Sequence, residues 1–246
     1  EELLMSDPSY PCNRHFLRLI EGRARLIETT PETRYQLNAD LVREHWQPQT
    51  RGALVASPAN PTGEMLSREE LRALADACRE KNGVLLVDEI YHGLTYGEDA
   101  VSVLEVADDA FVLNSFSKYF GMTGWRIGYT AGPAEVIKAM SSLQSQVASG
   151  SNSIAQYAAE EALRSPKGPE EIERMHKAYD ERRRYLLREF RVLGMDCFEP
   201  YGAFYMFPCI KRFGMTSDEF ANRLLQEEKL ALVPGTAFGD CGEGYL

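Results

Sequence analysis

The chain has 246 residues and a formal net charge of −10, from 27 lysines and arginines against 37 aspartates and glutamates. Its basic residues form no cluster of the kind that phosphate-backbone binding needs, so we expect no nucleic-acid surface. No apolar run approaches the roughly 20 residues of a membrane span, and the start does not resemble a signal peptide, so we expect no membrane partner. The five cysteines form no CxxC pair, which argues against a metal site or a disulfide framework and favours a cytoplasmic location.

Short apolar runs alternate with amphipathic stretches in the first half of the chain. The runs are too short for helices and are bounded by turn residues, so we predict buried strands at residues 3–5, 25–28, 53–56, 84–87 and 111–113. Helices are predicted between them, at residues 12–21, 39–46 and 67–81. The alternation predicts an α/β fold, a mostly parallel sheet flanked by helices.

The second half of the chain is richer in helical patterns. A strand is predicted at residues 125–131, and helices at 133–146, 153–164 and 169–193, the last capped by Gly194. The remainder indicates a small α+β unit, with strands at 195–198, 203–207 and 230–233 and a helix at 216–228. We therefore predict a large domain over residues 1–180 and a smaller C-terminal domain over 181–246. Both chain ends look like parts of strands, and we expect the fold to be truncated at both ends.

Three predicted strands are followed by polar segments. Residues 57–63 follow the third strand, Asp88 follows the fourth, and a segment ending in Lys118 follows the fifth. Ligands of open parallel sheets bind beyond the carboxyl ends of the strands, so these segments should meet at one edge. Arg126 lies inside an otherwise apolar predicted strand, where a guanidinium is costly unless an anion meets it. Together these residues indicate a site for a phosphate and a carbonyl compound.

Each of these residues is ordinary when it is taken alone. Lys118 could be a solvated loop lysine, Asp88 a turn residue and residues 60–63 a simple turn. Arg126 could be satisfied by an ion pair with an acidic side chain. Only the joint arrangement at one edge of the sheet indicates a functional site.

Four segments carry a family resemblance. Residues 60–63 read Asn-Pro-Thr-Gly, 88–91 read Asp-Glu-Ile-Tyr, 115–118 read Ser-Phe-Ser-Lys, and 124–128 read Gly-Trp-Arg-Ile-Gly. In order and spacing they resemble the fold-type I pyridoxal-phosphate (PLP) enzymes of the class I/II aminotransferase family, which are aspartate-aminotransferase-like. The resemblance runs over nearly the whole chain.

The resemblance implies three catalytic residues. Lys118 would form the internal aldimine with PLP and then shuttle a proton on the substrate. Asp88 would face the pyridine nitrogen and keep it protonated, which makes the ring a better electron sink. Tyr91 would hydrogen-bond the ring hydroxyl oxygen, together with the cofactor-binding residue Asn60.

The resemblance also implies contacts to the rest of the cofactor. Ser115, Ser117 and Arg126 would hold the phosphate, Arg126 through a bidentate pair. Tyr10 is the candidate for the aromatic residue that stacks on the ring. The arginine that binds the substrate carboxylate in this family is expected just after Leu246.

The implied function is transfer of an amino group from an α-amino acid to a 2-oxo acid, by a cytoplasmic homodimer without a metal. Two other PLP reactions are possible on the same scaffold, those of a carbon–sulfur β-lyase and of a cyclopropane-carboxylate synthase, because fold-level analogy does not separate them. An alternative from another class is the aminotransferase-like sensor domain of a transcription regulator.

Overall fold

A six-stranded sheet forms the centre of the computed structural model, which describes residues 1–246. The strand order is β2-β1-β3-β4-β5-β6. Strands β1 to β5 are parallel, and β6 runs antiparallel to β5. The predicted mostly parallel α/β sheet is thus confirmed. The strands are β1 (Glu2–Asp7), β2 (Arg23–Glu28), β3 (Thr50–Ala56), β4 (Val84–Asp88), β5 (Phe111–Ser115) and β6 (Gly128–Ala131).

Seven α-helices accompany the sheet, and the first six agree with the predicted bounds to within two residues. The seventh is shorter than predicted, because a π-helical turn at Leu224–Glu228 replaces its second half. No helix is both long enough and apolar enough to cross a membrane. The helices are α1 (Cys12–Leu19), α2 (Ala39–His45), α3 (Arg68–Glu80), α4 (Ala134–Ala148), α5 (Ser153–Arg164), α6 (Gly168–Val192) and α7 (Ser217–Arg223).

Helix α3 covers one face of the sheet. A capping box starts it: the Ser67 hydroxyl accepts from the Glu70 N–H, and the Glu70 carboxylate accepts from the Ser67 N–H at 2.8 Å. Its apolar face, which includes Leu71 and Leu74, is fully buried in a core shared with β3 and β4. This core fixes the two strands whose carboxyl ends lead into the candidate site.

The turn into β6 differs from the prediction. Residues Thr123–Trp125 form a 3₁₀ turn, Arg126 has a left-handed φ of 51°, and the strand begins only at Gly128. The prediction that Arg126 lies inside a buried strand is therefore wrong, and its side chain is exposed. The chain must reverse here to run antiparallel to β5. A Cβ on Gly128 would come within 2.8 Å of the Asn114 carbonyl oxygen, so the close pairing requires glycine.

The predicted strands at 195–198, 203–207 and 230–233 are also wrong. These segments lie outside helices and form no ladder, because each lacks a neighbouring segment over its length. Only single bridges occur, between Thr95 and Gly202 and between Cys209 and Tyr245. The domain boundary at residue 180 falls inside the continuous helix α6 and stays a prediction.

Truncation of Leu74 to alanine tests the role of the α3 core. Leu74 is fully buried, so Leu74→Ala should lower the free energy of unfolding by roughly 2–5 kcal/mol, through lost burial and the cavity left behind. Urea denaturation measures this loss. The matched control is Arg72→Ala on the exposed face of the same helix, with an expected change within about 0.5 kcal/mol. Equal effects of the two variants would contradict the assigned burial.

Candidate active site

Three loops leave the sheet at one edge, where β3, β4 and β5 end side by side. Asp88 pairs in register with Ala56 of β3 on one side and with Leu113 of β5 on the other. The loops that follow carry Asn60, Tyr91 and Lys118. Parallel pairing thus brings together residues that are far apart in the sequence.

Lys118 lies half-buried on the loop that follows β5. Its Nζ atom is 5.8 Å from the ring centre of Tyr91 and 5.6 Å from that of Phe204. Both distances are within the range of cation–π attraction. The Lys118 carbonyl accepts from the Gly121 N–H at 3.0 Å, which makes the loop a tight turn. The amine therefore stands between two aromatic rings at the edge of the sheet.

Asp88 is mostly buried at the end of β4, and one carboxylate oxygen accepts from the Ile90 N–H at 3.1 Å. Burial raises the pKa of Asp88 to about 6, with Glu89 adding to the rise. The Ile90 N–H and the positive charge of Lys118 act in the opposite direction. Ionised Asp88 therefore lowers the stability of the protein, and a cation on a bound ligand would offset this loss.

Glu89 fixes the turn that carries Asp88 and Tyr91. Its side chain is buried, and one oxygen accepts from the Val103 N–H at 2.7 Å and from the Ser102 hydroxyl at 3.1 Å. Burial raises the pKa of Glu89, and these two donors oppose the rise. The acidic residue beside Asp88 thus has a structural role.

Tyr91 is only 3% exposed, and its hydroxyl lies 2.7 Å from that of Tyr205. The two rings meet edge to face with their centres 5.6 Å apart. Burial raises the pKa of Tyr91 far above its usual range, and the neighbouring Tyr205 and Asp88 reinforce this. The hydroxyl therefore keeps its proton and can donate a hydrogen bond at neutral pH.

Asn60 has a buried side-chain oxygen without any hydrogen-bond partner. Few buried polar atoms in folded proteins lack a partner, and such an atom at a pocket often points to a ligand. Asn60 lines a small pocket together with Tyr10. The amide group of Asn60 is therefore available to a bound molecule.

Tyr10 stands at the rim of this pocket with 37% of its surface exposed. Interaction with the Cys12 thiol, burial, and the nearby Tyr205 and Asp88 raise the pKa of Tyr10 to about 12. Tyr10 thus lies close to the groups that follow β4, as required of a residue that covers a bound ring.

The three residues predicted to hold a phosphate lie at the end of β5 and in the segment that joins β5 to β6. The Ser117 N–H donates to the Ser115 hydroxyl oxygen at 3.1 Å. The Arg126 guanidinium is exposed and donates to the Thr123 carbonyl at 2.7 Å. The Thr123 hydroxyl in turn donates to the Ser117 carbonyl at 2.7 Å. Arg126 is thus linked to Ser117 through Thr123.

Two aromatic residues at this site were not predicted. Phe204 and Tyr205 are absent from the predicted site residues, yet Phe204 approaches Lys118 and Tyr205 contacts Tyr91. The Tyr201 carbonyl accepts from the Tyr96 N–H at 2.8 Å, and the Ala203 N–H donates to Leu94 at 2.9 Å. The sequence of residues 201–205 is rich in aromatic residues, but a local pattern does not show which distant residues the segment contacts.

The fold and this edge of the sheet define an α/β protein whose ligand site combines an amine, a carboxylate and hydroxyl groups. The family model described as aminotransferase class I and II matches residues 1–245. The chain therefore belongs to this family, whose members depend on pyridoxal phosphate.

Individual relatives agree with this assignment. The chain is 36% identical to an aspartate aminotransferase of Pyrococcus abyssi and to a putative aminotransferase, YugH, of Bacillus subtilis. Each alignment covers 100% of this chain and 64% of the relative. The chain thus spans about 64% of the length of the curated relatives it matches.

Solved structures give the same result. The aspartate aminotransferase from Thermus thermophilus with maleate has a TM-score of 0.93 and 36% identity, over 100% of this chain and 64% of that one. The aromatic aminotransferase from Pyrococcus horikoshii OT3 has a TM-score of 0.94 and 34% identity, over 100% and 67%.

The residues at the edge of the sheet fit pyridoxal phosphate. The Asn60 side-chain oxygen is buried and has no partner within the protein, as expected of an amide that contacts a ligand. The Asp88 carboxylate suits a protonated ring nitrogen, because its burial is relieved by a cation. Lys118 offers an amine on the same edge, beside the hydroxyl-bearing ring of Tyr91. Lys118 thus suits the aldehyde of the cofactor, Tyr91 and Asn60 its phenolic oxygen, and Asp88 its ring nitrogen.

Replacement of Asp88 by asparagine tests the cost of its ionisation. The pKa of Asp88 in the folded protein, about 6, lies above the ordinary value of 3.8, so the folded state favours the protonated carboxyl. The free energy of unfolding therefore falls as the pH rises from about 3.8 to about 6 and Asp88 ionises. Asp88→Asn should therefore stabilise the cofactor-free protein by about 1–3 kcal/mol at pH 7.5, and by almost nothing near pH 3.5. Urea denaturation across this pH range measures the difference.

The control for this experiment is Asp108→Asn, at an exposed position. It should change stability little at any pH. An Asp88→Asn variant that is less stable than wild type at pH 7.5 would contradict the burial cost.

Proposed function

We propose that this chain carries the cofactor site of a PLP-dependent aminotransferase, which moves an amino group from an α-amino acid to a 2-oxo acid. The observation that carries the proposal is the convergence of Lys118, Asp88, Tyr91 and the partnerless Asn60 at one edge of the sheet. The aspartate and aromatic aminotransferases among the relatives support transamination over the other PLP reactions and over a sensor role.

Lys118 supplies the amine at this site. The bound cofactor supplies an aldehyde that reacts with amines and a ring that draws electrons from the α-carbon of the substrate. Lys118 would hold the cofactor through its amine and would carry a proton to and from the α-carbon of the substrate. Its position between the rings of Tyr91 and Phe204 keeps the amine close to where that carbon would lie.

Asp88 holds the proton on the ring nitrogen. In the free protein its burial raises the pKa to about 6, and a cationic ring nitrogen lowers that pKa again. The charge pair therefore favours the protonated ring, which accepts electrons better than the neutral ring. Binding and catalysis thus draw on the same buried carboxylate.

Tyr91 and Asn60 orient the ring through its phenolic oxygen. The Tyr91 hydroxyl stays protonated at neutral pH and donates to that oxygen, and the Asn60 amide supplies a second polar contact. Tyr10 covers one face of the ring from the rim of the pocket. These contacts fix the aldehyde carbon relative to Lys118.

Ser115, Ser117 and Arg126 bind the phosphate. Arg126 would exchange its bond to the Thr123 carbonyl for bonds to the phosphate, which would be favourable because the new bonds join opposite charges. Its exposed position leaves the guanidinium free to make that change.

The assembly and location of the protein are part of the proposal. We place the boundary between a large cofactor domain and a small domain at residue 180, and we infer a cytoplasmic homodimer acting on an amino acid and a 2-oxo acid.

Replacement of Lys118 by alanine tests the role of the amine. Lys118→Ala should lose the visible absorbance of lysine-bound PLP and reduce turnover by at least about 10³-fold, because the covalent anchor and the proton carrier are both removed. Absorbance spectra and a steady-state amino-transfer assay measure these changes. Lys81→Ala, at an exposed helix end, is the matched control and should behave as wild type. Full turnover by Lys118→Ala would contradict the proposal.

A single-turnover experiment separates transamination from the lyase alternatives. Cofactor-loaded protein mixed with an amino acid and no oxo acid should convert at most one equivalent of amino acid and leave the cofactor as its pyridoxamine form. A later addition of 2-oxo acid should restore the aldehyde form. Continuous release of ammonia with 2-oxo acid, or of a cyclopropane product, would favour the other reactions instead.

A further inference from the structure

The hydroxyl pair of Tyr91 and Tyr205 joins residues 114 positions apart in the chain. The two oxygens are 2.7 Å apart, and either group could be the donor in the ligand-free protein. Tyr91 is buried and Tyr205 partly so. Burial raises the pKa of both hydroxyls, so both keep their protons at neutral pH. Between the two hydroxyls, either Tyr91 donates to Tyr205 or Tyr205 donates to Tyr91.

A bound ligand determines which of the two tyrosine hydroxyls donates to the other. A tyrosine hydroxyl has one proton to donate and can accept through its lone pairs. If Tyr91 donates its proton to the cofactor's phenolic oxygen, as the proposed function requires, that proton is not available to Tyr205. The 2.7 Å contact then persists only with Tyr205 as the donor.

We propose that Tyr205 is a positioning residue that acts through Tyr91: it donates to the Tyr91 oxygen and directs the Tyr91 proton to the phenolic oxygen of the cofactor. This inference rests on the proposed function, because it requires that the Tyr91 hydroxyl contacts the cofactor as well as Tyr205. It adds a residue from the C-terminal third of the chain to a site otherwise built from the loops that follow the strands.

The backbone just before Tyr205 is firmly held. The Gly202 N–H donates to the Gly63 carbonyl and the Ala203 N–H to the Leu94 carbonyl, both at 2.9 Å. The buried Tyr96 hydroxyl donates to the Ala203 carbonyl at 2.7 Å. The Tyr205 ring also packs against Phe204, with 4.8 Å between ring centres. The Tyr205 hydroxyl is thus placed by the fold before any ligand arrives.

The donated bond should make Tyr91 a stronger donor. A hydroxyl that accepts one hydrogen bond while it donates another is polarised, and each bond in such a chain gains about 10–30% in strength. A stronger donor at the phenolic oxygen stabilises negative charge on that oxygen. It thereby lowers the pH at which the lysine-bound cofactor gives up its proton. Loss of the Tyr205 hydroxyl should raise that pH by roughly 0.2–0.7 unit.

The test is a pH titration of the cofactor's visible absorption band in the protein loaded with PLP. Tyr205→Phe removes a single oxygen atom and keeps the ring. We expect the titration midpoint to rise by roughly 0.2–0.7 unit in this variant, and by more in Tyr91→Phe, which loses the direct bond. In the double variant, the second change should add nothing to the effect of Tyr91→Phe, because Tyr205 acts only through that hydroxyl.

Tyr96→Phe is the matched control. It removes a buried hydroxyl that anchors the same segment, yet the backbone bonds of Gly202 and Ala203 remain. The midpoint should stay at the wild-type value, while the protein loses some stability. An equal shift in Tyr96→Phe and Tyr205→Phe would mean that loosening of the segment is the cause, and it would overturn the inference.

Other outcomes separate this inference from the proposed function. A wild-type protein that loads with PLP, combined with an unshifted Tyr205→Phe, would overturn the inference alone. A shift that persists in the Tyr91→Phe background would show that Tyr205 acts on the ligand directly, and would also overturn it. A wild-type protein that takes up no cofactor would overturn both.

Discussion

The parallel register of β3, β4 and β5 is the constraint on which the rest of the structure depends. It places Ala56, Asp88 and Leu113 side by side, so that the loops beyond them leave the sheet at the same edge. The buried face of α3 fixes this register from one side, because a slip of one residue would turn the apolar side chains of the strands away from the core. The site is thus a consequence of strand pairing rather than of any one motif.

The same edge carries features that are unfavourable for stability alone. Asp88 is ionised at neutral pH in spite of its burial, and the Asn60 oxygen has no partner. Each costs folding free energy in the free protein. A cationic ring nitrogen on a ligand would remove the first cost, and an N–H or O–H donor on a ligand would remove the second. Both residues lie at the edge of the sheet that carries the candidate site, and groups of this kind are often found at functional sites.

The sequence predicted the sheet and most helices because their signals are local. Short apolar runs define β1 to β5, and the Ser67–Glu70 capping box marks the start of α3. The strands predicted after residue 194 failed because a strand also requires a paired neighbour, which an apolar run does not reveal. Arg126 was misplaced because a left-handed turn before Gly128 interrupts an otherwise strand-like pattern. The contact of Tyr205 with Tyr91 depends on tertiary packing, and no local pattern predicts it.

The most direct test of the account is to identify the residue that binds the cofactor. Borohydride reduction fixes a lysine-bound cofactor permanently, and peptide mass mapping then locates the label. The account predicts that the pyridoxyl label lies on Lys118 alone, in the peptide that follows β5. A label on a different lysine, or a loaded protein in which no lysine is labelled, would contradict it.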